Sequence, residues 1–274
     1  MGPRGGDPMK KSVYILIVVL LLLVFCVSAF FVGRYILESR EQAQQSAALA
    51  DLKNSIKATE PEATTGETTP EGTFGAEEIR DENGMLIEYG EIYAQNPDLV
   101  GWIRIDGTKL DNPVVQTPDN PNFYLNHDFY GNSSAWGAIY AREECDINEP
   151  SDNITLYGHN MRDGSMFTSL NAYISEDTWK KNPLIFYDTL YEYHVYKIFA
   201  VFKTSANLGE GFTYHNMIDA SSKEEFDEFI ATCKELSFYD TGITPQYGDK
   251  TICLSTCEYT LNNGRLVVAA VRIS

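Results

Sequence analysis

Two residues near the carboxyl end of the chain have types and spacing that suit acyl-transfer chemistry. Cys257 ends an apolar run, and Arg265 follows it after a turn that contains Asn-Asn-Gly. If the two runs are antiparallel strands, they lie ~4.8 Å apart, and the long guanidinium reaches the sulfur or an atom bonded to it. A thiolate that attacks a carbonyl builds negative charge on the carbonyl oxygen, which a fixed cation stabilises. The alternative is an inert strand cysteine beside a solvent-facing arginine.

A cysteine nucleophile needs a nearby imidazole, which lowers the pKa of the thiol and protonates the leaving amine. The chain has four histidines. His159 ends the apolar run NITLYGH, so its ring projects at a strand end, and it is the first candidate. His127 is the second candidate. His194 lies inside a predicted strand, and His215 lies in a predicted loop.

The other cysteines favour free thiols over disulfides. Cys253 and Cys257 lie on one predicted strand about 13 Å apart, which is too far for a bridge. Cys233 occupies a position on the apolar face of a predicted helix and is expected to be a small core residue. Because no cysteine or histidine pair has the spacing of a metal site, the sequence predicts no metal and no cofactor.

Short apolar runs separated by turn residues predict eight strands, which suit a closed barrel or a sandwich. The predicted strands are 100–105, 112–116, 136–142, 153–159, 184–188, 193–204, 250–257 and 265–273. Helices are predicted within 84–97, near 166–173 and 175–182, and at 221–237. The expected class is therefore mainly β, with a few peripheral helices.

The amino-terminal part of the chain predicts a membrane anchor. Residues 13–33 contain no charge and are long enough to cross a ~30 Å hydrocarbon layer as a helix. A cleaved signal peptide is the alternative, but its apolar region is normally only ~7–15 residues long. Positive charges favour a cytoplasmic location for residues 1–12. The polar sequence after the span predicts a flexible stalk at 34–75, which leaves 76–274 as the folded domain.

The charge of the chain excludes nucleic acid as a partner. The total is −18, and the first forty residues contribute +3, so the remainder carries −21. An acidic body of this kind is repelled by phosphate backbones, and its charge is best explained by solubility. The 43% of hydrophobic residues suffice for a substantial core.

The motifs LSTC at 254–257 and LYGHN at 156–160, with Arg265 eight residues after the cysteine, resemble the signature of the sortases. Sortases are membrane-anchored cysteine transpeptidases of Gram-positive bacteria. The resemblance covers about 85–274 and extends to the anchor, the stalk and the number of strands. It implies a sortase-type, eight-stranded closed β-barrel that follows a transmembrane helix.

Within the family, the chain is most similar to class B. Residues 96–140 resemble the amino-terminal helix and first strands of that class. The predicted helix at 221–237 precedes the nucleophile strand, where class B sortases have an extra helix.

The resemblance implies roles for four residues. Cys257 matches the nucleophile, His159 the catalytic histidine and Arg265 the arginine that contacts the acyl oxygen. The backbone N–H of Glu258 matches the second oxyanion donor. One departure from the family pattern is Cys253, which stands where the family has threonine, and the expected cost is a lost hydroxyl contact.

The implied reaction joins two partners. Cys257 attacks the threonine carbonyl of a carboxyl-terminal sorting motif in an exported surface protein, and an amine of the peptidoglycan precursor resolves the thioester. The implied location is the cell membrane, with one span and an extracellular catalytic domain. The alternatives are a pilin polymerase that uses a lysine side chain, a plain cysteine peptidase that uses water, and a surface adhesin in which the Cys, His and Arg pattern is coincidental.

By the same resemblance, the substrate groove passes the loop after the second strand and the segment between the sixth strand and the last helix. The expected groove residues are Asn122, Tyr124, Leu125, Thr204, Phe212 and Tyr214. Each also has an ordinary interpretation as a core or turn residue.

Overall fold

The amino-terminal helix is the longest element of the protein. The computed structural model describes residues 8–58, 79–207 and 209–274, and the chain divides after Gln45 into two compact units. Helix α1 runs over Pro8–Ala58. Its most apolar window has a mean hydropathy of 3.4, so the helix is long and apolar enough to cross a membrane.

Helix α1 continues beyond the predicted span into the segment predicted to be a flexible stalk. The predicted stalk at 34–75 is helical over 34–58. These residues contain no glycine or proline and are rich in alanine, leucine and glutamine, which are good helix formers. Low apolar content was therefore not a sufficient sign of flexibility. The remainder of the predicted stalk lies outside the described residues.

The second unit is built on a closed β-barrel. Its strands are β1 Leu99–Arg104, β2 Asp111–Val115, β3 Ile139–Ala141, β4 Asn153–Tyr157, β5 Leu184–Thr189, β6 Val195–Ser205, β7 Thr251–Glu258 and β8 Gly264–Arg272. They close in the order β1-β2-β3-β4-β7-β8-β6-β5. The prediction of eight strands in a closed barrel is confirmed, and the sandwich alternative is excluded.

Few helices accompany the barrel. The α-helices are α2 Ile87–Tyr93, α3 Glu176–Lys181 and α4 Lys223–Leu236, and 3₁₀ turns occur at Phe123–Leu125, Phe167–Ile174 and Tyr214–Asn216. Ser222 caps the amino end of helix α4, because its side chain accepts a hydrogen bond from the Glu225 N–H in the first turn. The buried face of α4 contains Cys233 at the predicted position.

Successive side chains of strand β7 point alternately to the barrel interior and to the face covered by α4. Ile252 and Leu254 belong to the interior core. Cys253 belongs to the core between the barrel and α4. Because side chains alternate along a strand, Cys253 and Cys257 point to the same side of the sheet, away from the interior.

The pairing of β7 with β4 on one side and with β8 on the other brings three strand ends together at one end of the barrel. β4 runs parallel to β7, from Asn153 opposite Thr251 to Tyr157 opposite Ser255. β8 runs antiparallel to β7 on the other side. The carboxyl ends of β4 and β7 and the amino end of β8 therefore meet at the same rim, which we call the β7 rim.

The end of α1 belongs to the same unit as the barrel. Leu49 is only 3% exposed and packs in a core with Trp102 of β1. Lys53 lies over the Trp102 ring, with Nζ 4.4 Å from the ring centroid, and forms an ion pair with Asp111 at 3.6 Å. The folded unit therefore includes residues that precede 76, the predicted start of the domain.

Candidate active site

A cleft of about 300 Å³ opens at the β7 rim. It is lined by all three residues predicted to carry the chemistry, Cys257, His159 and Arg265. A larger cleft, of about 590 Å³, lies near the opposite end of β7 and β8, next to Lys250 and Arg272. The larger cleft has no cysteine in its lining.

Cys257 is the thiol that is both accessible and in the cleft. It is half-buried near the end of β7. Burial raises the pKa of the Cys145 thiol to about 11 and raises those of Cys233 and Cys253 as well. These three thiols are buried and stay protonated at neutral pH, so none of them is a suitable nucleophile.

Arg265 lies directly opposite Cys257 in the β7–β8 pair, as the sequence predicted. Its Nη1 group donates to the Asn263 side-chain oxygen at 3.1 Å and to the backbone oxygens of Asn263 and Gly264 at 3.3 and 3.0 Å. These bonds all use one nitrogen of the guanidinium. Within the described part of the chain, Nε and Nη2 make no hydrogen bond, so both are available to a substrate oxygen.

His159 follows β4 and is held by a backbone carbonyl. Its Nε2 lies 2.7 Å from the carbonyl oxygen of Leu125. Because a carbonyl only accepts hydrogen bonds, Nε2 carries the proton in the neutral ring, and Nδ1 is the basic nitrogen. His127, the second histidine candidate, lies outside the cleft, with its ring stacked 3.9 Å from that of Phe123.

Gly137 allows the His159 ring to approach the Leu125 carbonyl. Its φ is +59°, a conformation that favours glycine. A Cβ atom at this position would lie 2.7 Å from the Leu125 oxygen and 3.2 Å from Cδ2 of His159. The tight packing therefore requires a residue without a side chain.

Glu258 organises the connection between β7 and β8. Its carboxylate accepts hydrogen bonds from Lys203 Nζ at 2.8 Å and from the backbone N–H groups of Thr260 and Leu261 at 2.9 and 3.1 Å. Desolvation by itself raises the pKa of Glu258, but the hydrogen bonds outweigh it and lower the pKa to about 2. The carboxylate therefore stays ionised and stabilises the turn that leads to Arg265.

Three of the six predicted groove residues line the cleft: Asn122, Leu125 and Tyr214. The Leu125 side chain is 39% exposed. The Tyr214 hydroxyl lies 2.6 Å from Oγ of Ser255 on β7, which also lines the cleft. Asn122 Oδ1 accepts a hydrogen bond from the Tyr140 hydroxyl at 3.1 Å.

The other three predicted groove residues are not part of the cleft lining. Tyr124 is buried, and its hydroxyl donates to Asp98 at 2.8 Å. Thr204 is buried, and its Oγ1 accepts from the Phe212 N–H at 2.7 Å. Phe212 packs against the core under α4. The lining of the cleft includes none of these three side chains.

The structure adds residues to the cleft that sequence reasoning missed. They include Tyr140, Tyr157, Ser255 and His215. Ser255 lies two residues before Cys257, so strand alternation could have identified it. His215 had no local signal. Burial and the nearby Arg142 and Arg265 lower the pKa of His215, so the ring is neutral at pH 7.

Comparison with known proteins gives a consistent result at the level of sequence. The profile of the Sortase domain family matches residues 103–273. Sortase B of Listeria monocytogenes is 31% identical over 194 residues, which cover 70% of this chain and 74% of that protein.

Solved structures give the same result at the level of the fold. Sortase B from Bacillus anthracis, in complex with AAEK1, superposes with a TM-score of 0.69 at 28% identity and covers 87% of this chain and 99% of that one. The Staphylococcus aureus sortase B–substrate complex superposes with a TM-score of 0.72 and the same coverage. Because the two sequences are only 24% identical, this similarity concerns the fold alone.

Proposed function

The chain belongs to the sortase family, as a class B cysteine transpeptidase, and we propose that it joins exported proteins to the cell wall with Cys257 as its nucleophile. The observation that carries this assignment of the site is the convergence of Cys257, His159 and Arg265 in one cleft. The three residues come from different strand ends, and the other buried thiols have raised pKa values.

The first half of the proposed reaction is acylation. The Cys257 thiolate attacks the carbonyl carbon of a threonine in a sorting motif near the carboxyl end of the substrate. The tetrahedral intermediate collapses, the peptide C–N bond breaks, and His159 gives a proton to the leaving amine. The product of this step is a thioester between Cys257 and the amino-terminal part of the substrate.

The second half transfers the acyl group. An amine of the peptidoglycan precursor attacks the thioester, the C–S bond breaks, and His159 accepts the proton that the amine loses. The Cys257 thiolate is regenerated. The balance of the reaction is one peptide bond broken and one amide bond formed, so no cofactor or oxidant is required.

Charge on the acyl oxygen is stabilised from the β8 side of the cleft in both halves. The Nε and Nη2 groups of Arg265 are available, since Nη1 alone binds the turn. The N–H of Glu258 is the proposed second donor. A planar guanidinium and a backbone N–H together resemble an oxyanion hole, in which each donor contributes about 10²–10³ in rate.

The substrate is proposed to lie along the wall formed by Asn122, Leu125 and Tyr214, which are in the cleft lining. Tyr124, Thr204 and Phe212 are proposed to hold that wall in place from behind. The proposed partners are therefore surface proteins with a sorting signal on one side and a cell-wall amine on the other.

Helix α1 is proposed to anchor the enzyme through residues 13–33, with residues 1–12 in the cytoplasm and the catalytic domain outside the cell. The support is the apolar character of the helix, together with the positive charges that precede the span. A single-pass anchor keeps the enzyme at the surface where exported proteins emerge.

The test is a product analysis with the full chain in detergent micelles. The protein is incubated with peptides that carry candidate sorting motifs, and mass spectrometry is used to find a thioester on Cys257. One of three amines is then added at rising concentration while the peptide concentration is held constant. The amines are oligoglycine, a diamino-acid mimic of the wall precursor, and a lysine side chain. We expect the product to change from free acid to amide with a wall-type amine.

Three other outcomes would correct the proposal. Preference for a lysine side chain would indicate pilin polymerisation. Free acid as the sole product at every amine concentration would indicate a peptidase, because a transpeptidase must protect its thioester from water. A wild-type enzyme that never forms a thioester on Cys257 would remove the assignment of the nucleophile.

A further inference from the structure

Asn160, directly after His159, connects the histidine segment to the nucleophile strand. Its Nδ2 group donates to the carbonyl oxygen of Cys257 at 3.0 Å. Its Oδ1 atom accepts from Asn171 Nδ2 at 3.0 Å, and Asn171 Nδ2 also donates to the carbonyl of Thr168 at 2.8 Å. Because backbone carbonyls only accept, both side-chain amides have one possible orientation.

The Asn160 side chain takes the place of a backbone hydrogen-bond donor at the end of the β4–β7 ladder. The parallel ladder between β4 and β7 ends with the Gly158 N–H, which donates to the Ser255 carbonyl at 3.2 Å. Beyond it the chain turns away from β7, and the His159 carbonyl accepts from the Phe167 N–H at 3.0 Å. The Cys257 carbonyl, the next acceptor on this side of β7, is satisfied by the Asn160 amide.

This bond fixes the peptide unit that follows the nucleophile. The Cys257 carbonyl and the Glu258 N–H belong to one planar trans peptide, so they point in opposite directions. β7 lies between β4 and β8. Since the carbonyl points to Asn160 on the β4 side, the N–H points towards β8, where Glu258 pairs with Gly264. The Gly264 carbonyl in turn accepts a hydrogen bond from Nη1 of Arg265 at 3.0 Å. A donor on the Cys257 carbonyl also polarises the peptide and strengthens its N–H as a donor.

We propose that Asn160 is a positioning residue for the transpeptidase reaction, which holds the Cys257–Glu258 peptide in register with Gly264 so that the Arg265 guanidinium is aimed at the oxyanion. Asn171 supports it by fixing the orientation of its amide. This inference rests on the proposed function, because it needs an acyl oxygen at Cys257. It assigns Asn160 no contact with the substrate.

The test compares variants of the full chain in detergent. Asn160→Ala removes the amide, Asn160→Asp keeps the volume but removes the donor at neutral pH, and Asn171→Ala frees the Asn160 amide to rotate. Asn148→Ala, at an exposed asparagine between β3 and β4, is the matched control. Three quantities are measured: the single-turnover acylation rate, KM for the peptide, and the rate of Cys257 alkylation by iodoacetamide as a function of pH.

We expect Asn160→Ala to lower the acylation rate by about ten- to a hundredfold, less than the ~10²–10³ of a directly lost oxyanion donor. Asn160→Asp is expected to lose at least as much, because a carboxylate faces the carbonyl. Asn171→Ala is expected to lose less than either. KM and the pH profile of alkylation are expected to stay unchanged, since the thiol, the imidazole and the groove are intact. Asn148→Ala is expected to match the wild type.

A double-mutant cycle measures the coupling between Asn160 and Arg265 in the acylation rate. A merely structural role of Asn160 would give no such coupling. If Asn160 and Arg265 act on the same oxyanion, the loss in Asn160→Ala combined with Arg265→Lys is smaller than the product of the two single losses. A combined loss equal to the product would overturn the inference. So would wild-type acylation in Asn160→Asp, or an alkylation rate that falls in parallel with acylation.

Failure of the inference and failure of the proposed function have different signatures. If the wild type forms the Cys257 thioester and Asn160→Ala forms it equally fast, the positioning role fails alone. If the wild type forms no thioester on Cys257, both fail together.

Discussion

The carbonyl oxygen of Leu125 lies 2.7 Å from Nε2 of His159 and fixes the tautomer of the ring. The basic nitrogen is therefore Nδ1, and the orienting partner is a backbone carbonyl in place of a carboxylate. A neutral partner leaves the imidazole without a fixed negative charge beside it. The geometry of this contact depends on Gly137, which packs against both groups.

Gly137→Ala is expected to reduce peptide cleavage by about 10²-fold or more, since a displacement of about 1 Å in a catalytic group has effects of this size. The new Cβ would lie 2.6 and 2.7 Å from the Tyr124 and Leu125 oxygens, so the carbonyl that holds His159 must shift. The control is Gly131→Ala, where φ is also positive (+76°) but no atom lies within 4 Å of the Cβ. Equal activity of the two variants would show that the contact has no role in turnover.

Cys257→Ala is expected to abolish cleavage and thioester formation while the unfolding temperature stays close to that of the wild type, because the side chain lies at a strand end. Cys253→Ala and Cys145→Ala are expected to remain active and to lose about 1 kcal/mol of stability, since both thiols are buried. Turnover and thermal unfolding are measured for all three. Activity in Cys257→Ala together with inactivity in Cys253→Ala would identify the other sulfur as the nucleophile.

Arg265→Lys is expected to lose on the order of 10²–10³ in turnover although the charge is kept. A guanidinium binds the turn through Nη1 and presents further N–H groups to the acyl oxygen, whereas an ammonium on a flexible stem cannot do both. Arg104→Lys, at an arginine paired with Asp106, is the control for a general effect of the substitution. Wild-type rates in Arg265→Lys would mean that the site needs only a positive charge.

Glu258→Gln is expected to destabilise the protein at neutral pH and to have a smaller effect in acid. The folded pKa of about 2 lies below the ordinary value of about 4.3, so ionised Glu258 contributes stability above pH ~4.3. This contribution is lost as the pH falls from ~4.3 towards 2. Urea unfolding of both proteins between pH 7 and pH 2.5 measures the difference. A difference that does not change with pH would contradict the assigned ionisation.

Much of the β7 rim was predictable because it depends on the pattern of residues that are close together in the sequence. Alternation along β7 and the Asn-Asn-Gly turn place Arg265 opposite Cys257, and the structure has that register. The position of His159 at a strand end also followed from the apolar run before it. These features require only that neighbouring segments pair, which a period of two and a turn motif specify.

Other features depend on contacts between distant segments and have no local signal. The pairing of β4 with β7 follows from barrel closure, and the Leu125 carbonyl reaches His159 across 34 positions of sequence. Tyr124 was expected in the groove but is buried through hydrogen bonds to Asp98 and Asn96. The helical run over 34–58 differs from the predicted flexible stalk, because the helix propensity of these residues outweighs their polar composition.

The parallel pairing of β4 with β7 has a consequence for the order of folding. Thr256 Oγ1 donates to the carbonyl of Gly158 at 2.7 Å, and the two positions are 98 residues apart. Such a contact forms only after a large loop has closed, whereas the β7–β8 hairpin is local. We therefore expect Cys257 and Arg265 to meet early and His159 to join them last. In a nascent or partly folded chain, the Cys257 thiol then lacks its histidine partner. The enzyme becomes active only when the barrel is complete.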